Sequence, residues 1–230
     1  MYPAVPALTM TGKTHIACGA CAAVLILRPA IPMDLALVFA MSAVGAVMPD
    51  IDIRNSICRR TIFPISISIP VLIFAAMHLP SLSEGLPGWT GTFWLWTLAM
   101  AALCVIGRVS PHRTFTHSLT AGALFTGSLY KALLAAQMEK GALLAAAAFA
   151  VGYTAHLVLD LTGFKKMQLL FPFGPWFSLK LFKASGKTDS LIRILSACVC
   201  LCTVLMQNKD VLIKGLDTLH LWVYGLIAMF

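Results

Sequence analysis

Long apolar segments dominate the chain and decide what it can fold into. Only 11% of its residues are charged, whereas soluble domains carry about 25%, and the mean hydropathy is +0.86. A spanning helix needs about 20 mostly apolar residues, and the candidate segments are 15–27, 35–48, 62–79, 93–107, 116–130, 141–160, 191–207 and 211–229. The first two are short enough to form a tilted or re-entrant pair instead. We therefore expect an all-α fold, a polytopic transmembrane bundle of about 6–8 helices.

The bundle is expected to form one domain over residues 1–230, in which residues 1–9 are a possible extension. Residues 161–190 interrupt the apolar pattern with prolines, lysines and aromatic residues. This composition favours a segment that lies in the membrane interface, although an ordinary loop with an aromatic belt remains an alternative. The seven cysteines are an odd number scattered through apolar runs, which argues against a disulfide framework.

Histidine and aspartate gather in four short clusters within this apolar chain. Only nine residues are Asp or Glu and six are His, yet three of the former and four of the latter fall in these clusters. The seven residues are His15, Asp50, Asp52, His112, His117, His156 and Asp160. Ionisable groups near membrane depth are costly and usually mark a functional site. Imidazole nitrogen together with carboxylate oxygen is a donor set for a divalent metal.

Each cluster alone also has a structural explanation. His156 and Asp160 share one face of a predicted helix, where a helix-stabilising hydrogen bond would serve as well as a metal. Asp50 and Asp52 can point at one site from an extended or turn conformation, but aspartate is also a good helix N-cap. Thr116 is a candidate N-cap for a helix that opens near His117.

Topology places all four clusters on one side of the membrane. If all eight segments cross, the cluster side carries twelve of the 17 lysines and arginines and the other side carries five. Because lysine and arginine collect on cytoplasmic loops, the cluster side is expected to be cytoplasmic. The net charge of +8 is then a topology signal, and no nucleic-acid partner is predicted.

Arginines accompany two of the clusters. Arg113 lies between candidate ligands, and Arg54 follows the aspartate pair. The planar guanidinium binds phosphate or carboxylate in a bidentate manner, so both are expected to bind an anionic substrate. For Arg59 and Arg60, membrane topology and anionic-lipid contact explain the charge as well as substrate binding does.

Together, these motifs resemble a known family. The matching stretches are Thr11-Gly-Lys-Thr-His15, Met48-Pro-Asp-Ile-Asp52, His112-Arg-Thr-Phe-Thr-His-Ser118 and Ala155-His-Leu-Val-Leu-Asp160. They resemble the YdjM-like inner-membrane proteins, described as membrane-bound metal-dependent hydrolases, some of them under LexA (SOS) control. That family is distantly similar to zinc-dependent phospholipase C and P1-type nucleases, whose helical His and Asp ligands serve phosphoester hydrolysis. The resemblance covers roughly residues 10–190 and implies that His156 and Asp160 are metal ligands.

The expected function is a metal-dependent hydrolase in the bacterial inner membrane, acting at the cytoplasmic face on a phosphoester or lipid-like substrate. All seven cluster residues are candidate ligands for one to three divalent ions, with zinc expected, and membrane lipids are expected partners. Seven ligands exceed the needs of one tetrahedral zinc. Asp52 is the preferred general base, and Arg113 would neutralise the developing anion. A divalent-metal transporter or channel and a catalytically inactive, metal-stabilised membrane protein are the alternatives.

Overall fold

The computed structural model describes residues 10–77, 91–181, 186–209, 213 and 220, and over these residues the fold is built from helices. We number the α-helices as α1 Gly12–Leu27, α2 Pro32–Val47, α3 Phe63–Met77, α4 Gly91–Val109, α5 Leu119–Ala135, α6 Glu139–Thr162 and α7 Gly186–Gln207. Short 3-10 helices span Met48–Asp52 and Phe115–His117, and a π-helical turn spans Cys58–Ile62. The predicted all-α fold class is confirmed.

Four helical stretches among the described residues are long and apolar enough to cross a membrane. They are Pro32–Asp52, Gly91–Val109, Glu139–Thr162 and Gly186–Gln207. Two shorter apolar helices, Gly12–Leu27 and Leu119–Ala135, accompany them. Each corresponds to a segment predicted from hydropathy, whereas the predicted segment 211–229 lies outside the described residues except for positions 213 and 220. The total number of spans therefore stays a prediction.

Capping residues explain where the helices next to the site begin. Thr11 occupies the N-cap position of α1 with an extended backbone, and both its N–H and its hydroxyl donate to the carboxylate of Asp189, at 2.8 and 3.0 Å. The hydroxyl of Ser118 accepts from the N–H of Ala121 at 3.1 Å and so caps α5. The expectation that Thr116 is this N-cap is therefore wrong, because Thr116 and His117 belong to the preceding 3-10 helix.

Helix α6 lies at the centre of the bundle, where it packs against α1, α2 and α5. Its contact with α2 is a backbone contact. A Cβ built on Gly152 would lie 2.1 Å from the carbonyl oxygen of Ser42, and one built on Gly45 would lie 2.1 Å from that of Phe149. Small residues permit such close helix pairs in membranes. Glycine at both positions thus fixes how far α2 and α6 stand apart.

Residues 163–181 form an irregular segment, which we call the strap, after the end of α6. Met167 and Phe177 pair as an antiparallel bridge through two N–H···O bonds of 2.9 Å. The predicted irregular range of 161–190 is too long at both ends, because α6 continues to Thr162 and α7 begins at Gly186. Whether the strap lies in the membrane interface stays a prediction at this point.

Candidate metal centre

The structure brings the seven predicted ligands together at one end of the bundle. Helix α1 begins there, while α2 and α6 end there. The seven side chains form three overlapping groups whose potential ligand atoms lie within 4.8 Å of one another. The groups are His15 with His156 and Asp160, Asp50 with His117 and His156, and Asp52 with His112 and His117.

Four atoms at the centre of the cluster face one another, with each of two carboxylate oxygens 3.4–3.9 Å from each of two imidazole nitrogens. They are Asp50 Oδ1, Asp160 Oδ2, His117 Nε2 and His156 Nε2, and we call them the cage. The distances from Asp50 Oδ1 to the two nitrogens are both 3.7 Å, and those from Asp160 Oδ2 are 3.4 and 3.9 Å. Ligands on a tetrahedral zinc with bonds of roughly 2.0–2.1 Å stand about 3.3 Å apart. Small adjustments would therefore let these four residues hold one ion.

The histidine nitrogens of the cage are free to act as ligands. His156 Nδ1 lies 2.7 Å from the carbonyl oxygen of Ala46, so Nδ1 carries the proton and Nε2 keeps its lone pair. The hydroxyl of Thr116 donates to Asp52 and therefore accepts from His117 Nδ1, at 3.0 and 3.1 Å. Metal-binding histidines commonly donate their second nitrogen in this way.

Both Nε2 atoms of the cage are buried, and neither has a hydrogen-bond partner among the described residues. A buried polar atom left without a partner costs about 1–3 kcal/mol. Burial also lowers the pKa of His117 below its usual 6.5, because the imidazolium loses water, although the carboxylate of Asp160 opposes this shift. The neutral imidazole that binds metals is thus the favoured form, and the donor set fits a divalent ion.

The guanidinium of Arg113 contacts two neighbouring groups. Its Nη2 lies 3.0 Å from Asp160 Oδ2, and its Nη1 donates to the carbonyl oxygen of Lys165 at 2.6 Å. The residue is buried, and its φ of 68° lies in the left-handed region, where a bulky side chain is uncommon. The guanidinium therefore holds one cage carboxylate in place, and its predicted contact with a substrate stays a prediction.

The cluster is closed at one end and open at the other. His15 is buried and stacks on His156 with a ring separation of 3.8 Å, and its Nε2 lies 3.8 Å from Asp160 Oδ1. At the opposite end, His112 Nδ1 lies 3.1 Å from both oxygens of the buried Asp52 carboxylate. The side chain of His112 is 36% exposed, more than that of any other predicted ligand. A ligand from outside would therefore meet His112 first.

Asp50 and Asp52 were expected to share one site from an extended or turn conformation. They instead lie in a 3-10 helix, and only Asp50 contributes to the cage, while Asp52 contacts His112 and Thr116. Arg54 lies exposed in the following turn, outside the three groups of candidate ligands. Arg59, by contrast, donates to the backbone oxygen of Asp52 at 3.3 Å.

Sequence reasoning missed two residues that support the site. Tyr153 is buried, and its hydroxyl donates to the carbonyl oxygen of Thr116. It precedes His156 by three positions, so helical spacing could have placed both on one face. Asp189 holds the start of α1 and therefore the position of His15. Its partner Thr11 is 178 residues away in the chain, and no local pattern signals that contact.

Comparison with known proteins identifies a family. No curated protein and no solved structure matches the chain. A family model described as YdjM inner membrane protein matches residues 10–230, so the match extends past residue 190, where the predicted resemblance ended. The description names a membrane location and no reaction. The predicted resemblance is confirmed: the chain belongs to the YdjM inner membrane protein family.

Proposed function

We propose that this membrane protein is a metal-dependent hydrolase of the bacterial inner membrane, spanning it several times and acting at the cytoplasmic face. The observation that carries the proposal is the cage. Two buried imidazole nitrogens, which have no hydrogen-bond partner in the described part of the chain, face two carboxylate oxygens at 3.4–3.9 Å. Without a cation, such an arrangement leaves buried polar atoms unsatisfied at a cost in stability.

The donor set of two nitrogens and two oxygens suits zinc, and manganese is the closest competitor. When bound, such an ion would act as a Lewis acid that polarises a scissile oxygen and lowers the pKa of water. The cage accounts for one ion. The groups that contain His15 and His112 share His156, Asp160 and His117 with the cage, so up to two further ions would need shared ligands.

Asp52 and His112 would supply proton transfer beside the cage. The buried Asp52 carboxylate accepts from His112 Nδ1, which leaves Nε2 of His112 to take up or release a proton. Because His112 is the exposed member of the pair, we propose that Asp52 acts by orienting His112. Such a carboxylate–histidine pair fixes the tautomer of the ring.

Charge near the cage suits an anionic substrate. Arg113 is buried beside Asp160, and its positive charge is proposed to stabilise the anionic charge that develops during hydrolysis. Arg54 is exposed in the turn after Asp52 and is proposed to contact the substrate's anionic group at the open end. Since the site lies where apolar helices end, a phosphoester or a lipid with an anionic headgroup is the proposed substrate class.

Metal content is the first test, measured by elemental mass spectrometry on protein purified in detergent. Asp50→Asn keeps the size of the side chain but removes the charged oxygen of the cage, and it leaves the Arg113–Asp160 pair intact. Asp34→Asn, in the first turn of α2 at the other end of that helix, is the matched control. We expect near-stoichiometric zinc or manganese in the wild type and the control, and loss of it in Asp50→Asn. Equal metal content in the wild type and both variants would contradict the assignment of the cage as a metal site.

Turnover is the second test, since metal alone does not make a hydrolase. The metal-loaded wild type is offered a panel of phosphoesters and phospholipids in vesicles. Asp52→Ala and His117→Ala are expected to abolish hydrolysis while the protein still inserts in the membrane. Metal in the cage without hydrolysis of any panel member would favour the inactive, metal-stabilised alternative.

A further inference from the structure

The strap presents a surface that the hydrolase proposal does not explain. Large apolar side chains are exposed along it, and Phe173 is 81% exposed. The others are Phe164, Leu170, Trp176, Phe177, Leu179 and Leu181. Three exposed lysines, Lys165, Lys166 and Lys180, lie in the same segment. An apolar surface bordered by cations is typical of a protein face that meets another phase or a partner.

The position of the strap between two apolar helices indicates which environment its exposed side chains contact. The strap directly follows α6, and α7 begins shortly after the strap, at Gly186. Both helices are long and apolar enough to span a membrane. Irregular backbone exposed to lipid does not persist inside the hydrocarbon core. This argues against a lipid-exposed position of the strap within the hydrocarbon core, and its aromatic residues and lysines are of the kinds enriched at the boundary between membrane and water.

We propose that the strap docks on the lipid headgroup layer of the bilayer that holds the protein, with preference for anionic lipids. Phe173 and Trp176 enter the boundary between headgroups and acyl chains. Lys165, Lys166 and Lys180 remain at the level of the lipid phosphates, which each lysine favours by electrostatic attraction. Burial of the exposed apolar side chains in this layer removes them from water.

The strap is also fastened to the candidate metal centre. The N–H of Gln168 donates to the carbonyl oxygen of Arg113 at 3.0 Å, and Arg113 Nη1 donates to the carbonyl oxygen of Lys165. The N–H of Leu119, the first residue of α5, donates to Leu169 at 2.9 Å. Docking of the strap would thus hold the arginine of the site next to lipid headgroups. This second step rests on the proposed hydrolase, which would then draw an anionic lipid from the bilayer, whereas the docking itself does not.

Trp176 is a native reporter for the docking. Full-length protein is reconstituted in phosphatidylcholine vesicles, with or without phosphatidylglycerol, that contain lipid brominated near the top of the acyl chain. The wild type is compared with Trp176→Phe, and the difference in emission isolates Trp176 from the other four tryptophans. We expect quenching of Trp176 by the brominated lipid, weak quenching by aqueous acrylamide, and about a twofold gain in lipid quenching with phosphatidylglycerol.

Phe173→Glu places a charge at the most exposed apolar position of the strap and should raise the acrylamide quenching of Trp176. Met33→Glu, which is 75% exposed at the other end of the bundle, should leave it unchanged. Strong acrylamide quenching in the wild type would overturn the docking, because Trp176 would lie in water. Protection of Trp176 from both quenchers would overturn the docking and indicate that another protein covers the strap. Lipid quenching of equal strength with and without phosphatidylglycerol would overturn the preference for anionic lipids. None of these readouts uses metal or turnover, so failure here is distinguishable from failure of the hydrolase proposal.

Discussion

Replacing Gly152 by alanine tests whether backbone packing sets the geometry of the cage. The added Cβ would lie 2.1 Å from the carbonyl oxygen of Ser42, 2.8 Å from its carbon and 2.9 Å from its Cα. These are backbone atoms of α2, which cannot rotate away as the end of a side chain can. Helices α2 and α6 would have to separate.

The size of the separation follows from the contact distance. Ordinary contact begins near 3.4 Å, so relief of a 2.1 Å approach requires a relative movement of about 1.3 Å, whereas metal–ligand distances tolerate only about 0.2 Å. His156 lies one helical turn beyond Gly152 on α6, and Asp50 follows the end of α2, so the movement pulls apart two members of the cage. Overpacking of this kind costs about 1–3 kcal/mol, and each kcal/mol lowers the Tm by about 2–4 °C in a chain of this length.

Thermal unfolding in detergent and elemental mass spectrometry measure the two consequences together. Gly152→Ala is expected to lower the Tm and to reduce the bound metal. Gly127→Ala on α5 is the control, because no atom lies within 4 Å of its added Cβ, and a helical alanine there should be neutral or stabilising by about 0.5–1 kcal/mol. A Gly152→Ala protein with wild-type Tm and wild-type metal content would refute the link between this contact and the site.

Two further substitutions probe the supports of the site. Arg113→Met removes the positive charge that pairs with Asp160, and because loss of a partner from a buried ion pair costs about 3–5 kcal/mol, we expect reduced unfolding free energy and weaker metal retention. Unchanged values for both would show that Asp160 needs no arginine. Asp189→Asn keeps the size of the residue that accepts hydrogen bonds from Thr11 at the start of α1 but weakens those bonds, so we expect a loss of about 1 kcal/mol in chemical denaturation. A wild-type denaturation midpoint would contradict this reading of Asp189.

Much of the fold followed from hydropathy and helix signals. The apolar runs predicted helices that the structure places within a few residues, because a chain with so few charges can satisfy its backbone in lipid only as helices. The His and Asp clusters were expected on one side of the membrane, and the structure brings their side chains together at one end of the bundle. The roles of the individual ligands stay predictions, since geometry alone does not establish metal or catalysis.

Other features depend on contacts that no local pattern carries. Asp50 and Asp52 contact different partners because both lie in a 3-10 helix. Their close spacing in the sequence had instead suggested one shared site. Arg113 pairs with Asp160 across 47 positions because its backbone adopts a left-handed conformation. Long-range pairing of this kind is set by tertiary packing, and residue identity alone does not specify it.

The packing beneath the cluster bears on the choice between hydrolase and transporter. A transporter would need a path for the ion along the bundle, with ligands near the middle of the membrane on broken helices. Helices α1, α2 and α6 instead close together directly below the cluster: a Cβ on Gly19 would lie 2.8 Å from Ala46 and 3.3 Å from Gly152. His112, the most exposed of the seven candidate ligands, lies at the opposite end of the cluster. A site that is closed toward the membrane interior and open at the end of the bundle must receive and release its ligand at that same end, which favours the proposed hydrolase over the transporter.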